Sequence, residues 1–457
     1  MGSSARDLVL VDDVLLRILS LSDIPSVVLV GQTSRHFHNL AFSKQVWLAL
    51  LSDLHARNFV DLIPGQRLHD LSTNELVDLA KRIVLGPRSW SSSHPSGSTL
   101  AQQIAVKANV YGGPGSLYWE NCAHLLSGGQ FCLFLKSKSL ECWDLAQSKV
   151  VWIYQGNWPE SWVTRFAIEV VEGGQKVIIL VAVRVLAQPE RENFVEVLNL
   201  DLSTGTSKTI LSWRGPDSEN DNSFSYCKIC GDFGLLGFID LDLPSQVILL
   251  QISTESCVIL DMPKKYSIDL LPAHLILMRP SLLSDSLEIV IWMMQALVNS
   301  NSQGEIFTRI EDVAPAAVLT LPDPQSNAFY LSSHLSPLCE DSSILWILTS
   351  SLQPSSRGEG LAIHKWHISH PKSKPLTLHP ISSKSFPDIV YPMPTGLRNV
   401  SFAGYMKYHD FIFSLAACHR DGFRVDLPHH GDNIQISPYS GTLVYSTREK
   451  IVVNYYE

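Results

Sequence analysis

Apolar residues recur at helical spacing in two stretches near the N-terminus, and as short strand-like runs from about residue 100 onward. In the first stretch, Leu8 to Leu54, Asp12 and Asp13 precede Val14, Leu15, Ile18 and Leu19. That i, i+1, i+4, i+5 order predicts a helix with a wide apolar stripe, begun by acidic residues that suit its positive end. The second stretch opens on Ser72 and Glu75, an S-x-x-E capping box, followed by Leu76, Leu79, Ala80 and Ile83. Gly86-Pro87 predicts its stop. We expect this helix to pack under the first ones and join them to the rest. The segment RSWSSSHPSGS, Arg88 to Ser98, has the composition of a solvated linker and marks a domain boundary.

Beyond it the pattern changes. Phe131 to Leu135, Leu140 to Leu145 and Val150 to Tyr154 are strand-like runs separated by a few turn residues, as in hairpins. Similar groups lie at Val177 to Val185 with Phe194 to Leu202, at Leu235 to Ile239 with Val247 to Ile252 and Cys257 to Leu260, and at Leu287 to Met294. Others are Ile344 to Leu348, Leu361 to Ile368, Phe411 to Leu415 and Gly441 to Tyr456. Aligning Trp143, Val197, Leu249, Ile291 and Trp346 gives steps of 54, 52, 42 and 55 residues. A unit of that length holds about four short strands, the content of a β-propeller blade. Trp143-Asp144 before a turn has the look of the Trp-Asp repeat signature. Two stacked β-sandwiches are the competing architecture.

The residue order of the first stretch resembles the F-box, the helical module that docks on the Skp adaptor of cullin-RING ubiquitin ligases. Matching positions are Leu10, Asp12 and Asp13, Val14, Leu15, Ile18, Leu19, the Asp23-Ile24-Pro25 turn, Thr33-Ser34-Arg35, Val46-Trp47 and Leu50. Val11 stands where the family usually carries Pro, whose role is to preset the backbone angle at the helix start. The tail, Ile436 to Glu457, resembles the end of the propeller-like region in fungal F-box proteins, where the final strands close the chain on itself. The resemblance implies adaptor contacts through Leu10, Val14, Leu15, Ile18, Leu19, Ile24, Pro25, Val46, Trp47 and Leu50, with Trp47 as the aromatic anchor.

Together these readings predict an α+β multidomain chain: F-box helices over 8–54, a helical extension over 55–87, a Ser-rich linker over 88–99, and over 100–457 an all-β domain, a six- or seven-bladed β-propeller. The implied function is the substrate-recognition subunit of an SCF-type ubiquitin ligase, partnered by a Skp-type adaptor, through it a cullin, and a protein target. Two other readings are a propeller enzyme or small-ligand binder with an incidental helical cap, and an adaptor-bound scaffold outside the ligase.

Composition narrows the classes further. The 457 residues are 45% apolar and 17% charged, as in globular chains of two or more domains. Lys and Arg number 35 against 44 Asp and Glu; residues 1–90 hold nine of each, so the net charge of -9 belongs to the β region. An acidic surface without a basic stripe disfavours nucleic acid and anionic membranes as partners. Eight scattered Cys and an N-terminus lacking a signal-peptide pattern point to a reducing compartment, cytoplasmic or nuclear. The longest apolar run, Val177 to Ala187, is too short to span a bilayer and contains Arg184.

No nucleophile elbow, zinc-protease, P-loop or dinucleotide motif is present, so neither a catalytic set nor a cofactor is expected. Gly112-Gly113-Pro114-Gly115 reads as a loop, because Pro interrupts the backbone donors of a phosphate cradle. Cys227 and Cys230 form a single C-x-x-C without the second ligand pair that zinc needs. His364, His367 and His370 fall on a strand, His429-His430 with Asp432 in a turn-rich stretch, and Asp240 and Asp242 on one side of a strand. None of these defines a metal or acid-base site.

Overall fold

The computed structural model describes residues 11–90, 98–108, 122–136, 139–158, 160–185, 192–215, 223–238, 246–263, 265–281, 286–300, 307–321, 326–352, 359–371, 375–389, 400–408, 411–415, 423–424, 434–447 and 449–457. Leu10, most of the Ser-rich linker, the Gly112 loop, Asp240 with Asp242, and the His429-His430 pair lie outside them.

Four short helices open the chain: α1 (Asp12–Ser20), α2 (Ile24–Gly31), α3 (Arg35–Ala41) and α4 (Lys44–Ala56). Side-chain caps set two of their starts, since Asp23 accepts from the Ser26 amide at 2.7 Å and Ser34 from the Phe37 amide at 3.2 Å. Val11 is the N-cap of α1 with φ -68°, the angle that Pro would impose, so the helix entry is reached without it. α5 (Thr73–Leu85) begins on the expected box, with the Glu75 side chain 2.7 Å from the Ser72 amide. It stops at Gly86, whose φ of 83° and contact with the Tyr405 ring leave no room for a Cβ. Leu76, Leu79, Ala80 and Ile83 join Val46, Trp47, Leu50, Leu51 and Leu54 in one core, which makes residues 12–85 a single five-helix unit.

Among the described residues, the β region contains seven sheets. The second to sixth each have a core of four antiparallel strands, within residues 122–153, 161–214, 226–261, 267–321 and 326–389, the fourth adding one parallel strand from outside its span; the seventh holds three strands in 405–424. The first joins the two ends of the region, because Leu100–Lys107 pairs with Lys450–Tyr456, followed inward by Leu443–Ser446 and Gln435–Ile436. Seven separate apolar clusters fill the seams: first with second sheet, second with third, and so round to seventh with first. Seven radial sheets with seven seams make a closed ring, a seven-bladed β-propeller, and closure leaves no seam open to water.

Trp143, Val197, Leu249 and Ile291 do occupy the third strand of four successive blades, but Trp346 sits on the second strand of the sixth. The slip has a structural cause. Between Leu287–Met293 and its partner Ala317–Leu321 the fifth blade inserts α6 (Met294–Asn299) and the strand Phe307–Arg309, which pairs in parallel with the outer edge of the fourth blade. Met294, Leu297 and Ile310 bury in the seam between those blades, so the insertion staples them together while hiding the period.

The expected linker is also revised. Arg88–Trp90 forms a short 3-10 turn whose Trp90 packs on Tyr405 and Tyr456, and the Ser89 amide donates to the Glu457 carbonyl at 2.8 Å. An indole of that area is worth more buried than solvated, so the chain stays on the propeller at least to residue 90.

Candidate docking surfaces

α1 presents two faces. Leu19 is buried and Leu16 packs against the helical core, whereas Val14 and Ile18 point outward, Ile18 being 49% exposed. With Val11 and Leu21 (72% exposed) they form an uncovered apolar band along α1, and Pro25 and Leu29 are exposed on α2. Leu15 and Ile24 are half-buried at its border. Leu19, Val46, Trp47 and Leu50 need correcting, because they lie inside the helical unit. Trp47 is only 2% exposed and packs against Phe42, so it holds the module together and is no surface anchor. One face of an amphipathic helix must fill its own core; residue order shows the stripe but not its division between core and surface.

The helical unit is seated on the propeller through the segment after α4. Phe59 meets Tyr439 edge to face with centroids 4.7 Å apart, and Arg57 lies over Phe59 while donating to the Ser336 carbonyl. Asn58, in left-handed backbone with φ 66°, donates to the Val170 carbonyl at 2.7 Å. At the centre is Asp61, which is buried and accepts from the Ser440 hydroxyl at 2.6 Å, the Ser437 hydroxyl and the Gly128 amide. Burial pushes its carboxyl up, and the three donors with Arg82 pull it back. Gly129 is a required residue there, since a Cβ would stand 2.0 Å from the Leu62 carbonyl oxygen.

Asp61 stands alone in an apolar run, Phe59-Val-Asp-Leu-Ile63, and that interruption was its only sign in the sequence. Asp61→Ala removes the acceptor of the Ser437 hydroxyl and the Gly128 amide and leaves the Ser440 hydroxyl with Thr442 alone, an expected cost of about 2 kcal/mol. Urea unfolding would measure it, and limited proteolysis would show faster cleavage near residues 86–98. An unchanged midpoint would mean that the joint does not depend on this carboxylate.

A third feature is a cavity of about 260 Å³ where the first strands of the fourth, fifth and sixth blades meet the turn 437–442 of the first. Lys228 donates to Asp269 at 2.6 Å, and Asp269 also accepts from the amides of Leu270 and Ser333, each at 2.8 Å. His334 contacts the Ser332 hydroxyl and is held neutral, its pKa lowered by burial to about 4. Cys230 is half-buried and its thiol is pushed up to about 12, so it stays protonated.

The other expected candidates are placed as follows. His364 and His367 are on the strand Glu359–Ser369, with His367 opposite His379, while His370 lies just past its end beside Ser343. Among the described residues no group of three or more His, Cys, Asp or Glu is arranged to hold a metal ion. Nor is any helix among them long and apolar enough to cross a membrane. Of the tryptophans in the β region, Trp152 is buried in a seam, Trp158 stacks on Phe194 and Trp213 lies half-buried in the next seam, so they serve packing between and within blades. Asp144, after Trp143, accepts from the Gln147 amide at 2.9 Å and so caps its turn.

No protein-family model and no curated protein matches this chain. Solved structures similar to it include Kuenenia stuttgartiensis hydrazine synthase, with TM-score 0.39, 10% identity, and coverage of 71% of this chain and 92% of that one. The WD40 domain of SCAP from fission yeast has TM-score 0.36, 9% identity and coverage of 72% and 82%. The C-terminal WD40 domain of Sif2 has TM-score 0.38, 8% identity and coverage of 76% and 98%. The propeller assignment rests on the ring of seven sheets and seams within this chain.

Proposed function

We propose that this chain is the substrate-recognition subunit of an SCF-type ubiquitin ligase, its helical unit docking on a Skp-type adaptor and, through it, a cullin, and its propeller holding a protein target. The observation that carries the reading is the uncovered band of Val11, Val14, Ile18 and Leu21 along α1, with Pro25 and Leu29 exposed on α2. It lies on the helices whose residue order resembles the F-box, and nothing else among the described residues covers it. Exposed apolar residues along one helix face of a small unit favour a protein partner. The firm joint at Asp61 suits a subunit that must hold a target at a set distance from a transfer site. In this reading the chain performs no bond chemistry and acts by raising effective concentration.

Co-purification with a Skp-type adaptor tests it. Ile18→Asp places a charge in the band without touching the core, and should weaken binding about a hundredfold or more while leaving the circular dichroism unchanged. Native chain that fails to bind the adaptor, or a variant that binds as well as native, would overturn the proposal.

A further inference from the structure

The Lys228–Asp269 pair is unequal in its exposure. Asp269 is 8% exposed at its side chain and accepts from the amides of Leu270 and Ser333 as well. Lys228 is 38% exposed. Both members line the cavity, but Lys228 is the more exposed and keeps donors beyond the one it gives Asp269, whereas Asp269 also accepts from two backbone amides. The surrounding wall is largely apolar, with Leu271, Pro272, Leu335 and Pro438 beside the Tyr439 ring. The nearby imidazole and thiol, His334 and Cys230, add no negative charge.

A cationic donor in an apolar recess complements a carboxylate attached to a short apolar body. The volume of about 260 Å³ lies just under the range typical of drug-sized ligands, which limits that body to a few carbons. We propose that this cavity is a binding site for a small apolar carboxylate, with Lys228 as the charge that recognises it. Such a group could come from a free acid or from the C-terminal residue of a peptide.

The site has a structural link to the helical unit. Pro438 and Tyr439 line the cavity, whereas Ser437 and Ser440, in the same turn, donate to Asp61. Leu335 likewise lines the cavity and packs against the helical core. A ligand resting on this turn would restrain the segment that seats the helices.

The test is calorimetric titration of the full chain with butyrate, standing for a free acid, and N-acetyl-leucine, standing for a peptide end, each beside its neutral amide. At least one acid should bind with a dissociation constant in the millimolar range or tighter, and its amide about tenfold more weakly or worse. The tighter acid identifies the source. Lys228→Met should abolish the preference for acid over amide. Equal binding of acid and amide to the native chain, or no heat from either acid at about 10 mM, would overturn the proposal without relying on any variant. Adaptor binding is independent of this outcome, because the cavity lies on the propeller and the apolar band on α1.

Discussion

Trp346→Ala should destabilise the propeller by about 3–5 kcal/mol, among the largest effects available from a single side chain. Trp346 is 1% exposed in the seam between the sixth and seventh blades, against Val400, Phe402, Met406 and Leu415. Its indole N–H donates to the Phe402 carbonyl at 3.3 Å, and the Lys365 ammonium lies 4.7 Å from the ring centroid. Gly404, at φ 85°, is pressed so close that a Cβ would stand 2.5 Å from the indole. Truncation therefore empties a fitted space, strips Phe402 of a donor and leaves a partly buried lysine without its aromatic face. Burial already pushes that lysine down. Urea unfolding should show a lower midpoint for Trp346→Ala and almost none of that loss for Ile381→Ala, whose side chain is exposed. Coincident midpoints for native chain and Trp346→Ala would show that this seam does not limit stability.

Acid should begin to destabilise the protein above the pH at which its carboxylates titrate. His124 and His334 are both held neutral by burial, each lowered from 6.5 to about 4. As pH falls below 6.5, the unfolded chain takes up these protons and the folded one does not until near 4. The stability contributed by the neutral rings is thus complete above pH 6.5 and is lost on the way down to 4. Each ring accounts for on the order of 2 kcal/mol after allowance for its partial exposure. His274 and His367 are lowered as well, also chiefly by burial, and add to the same slope. Urea midpoints at pH 7.5 and 4.5 would measure the loss, and the His124→Asn/His334→Asn double variant should show a clearly smaller one. An equal loss in that variant would assign the acid sensitivity elsewhere.

What residue order made legible was mostly local. The capping box at Ser72 and the stop at Gly86 involve residues a few positions apart, and both form as expected. Strand groups and a blade-length period were visible because each blade is built largely from consecutive chain. The period slipped only where α6 and Phe307–Arg309 interrupt the fifth blade. Long-range geometry was less accessible. Trp47 looked like a surface anchor because composition does not say which side of a helix meets its own core. Asp61 reaches Ser437 and Ser440 across the whole domain, and Lys228 reaches Asp269 from the neighbouring blade. Neither pairing follows a spacing rule, since the ring alone brings the partners together.

The closure of that ring also orders events in time. Leu100 pairs with Tyr456, so the outermost strand of the first blade leaves the ribosome long before its partner exists. The helical unit is made earlier still, but Ser437, which holds it through Asp61, comes 376 residues after that carboxylate. During synthesis the nascent chain therefore carries unpaired strand edges and an unmoored helical unit together. That is the condition in which chaperones matter most.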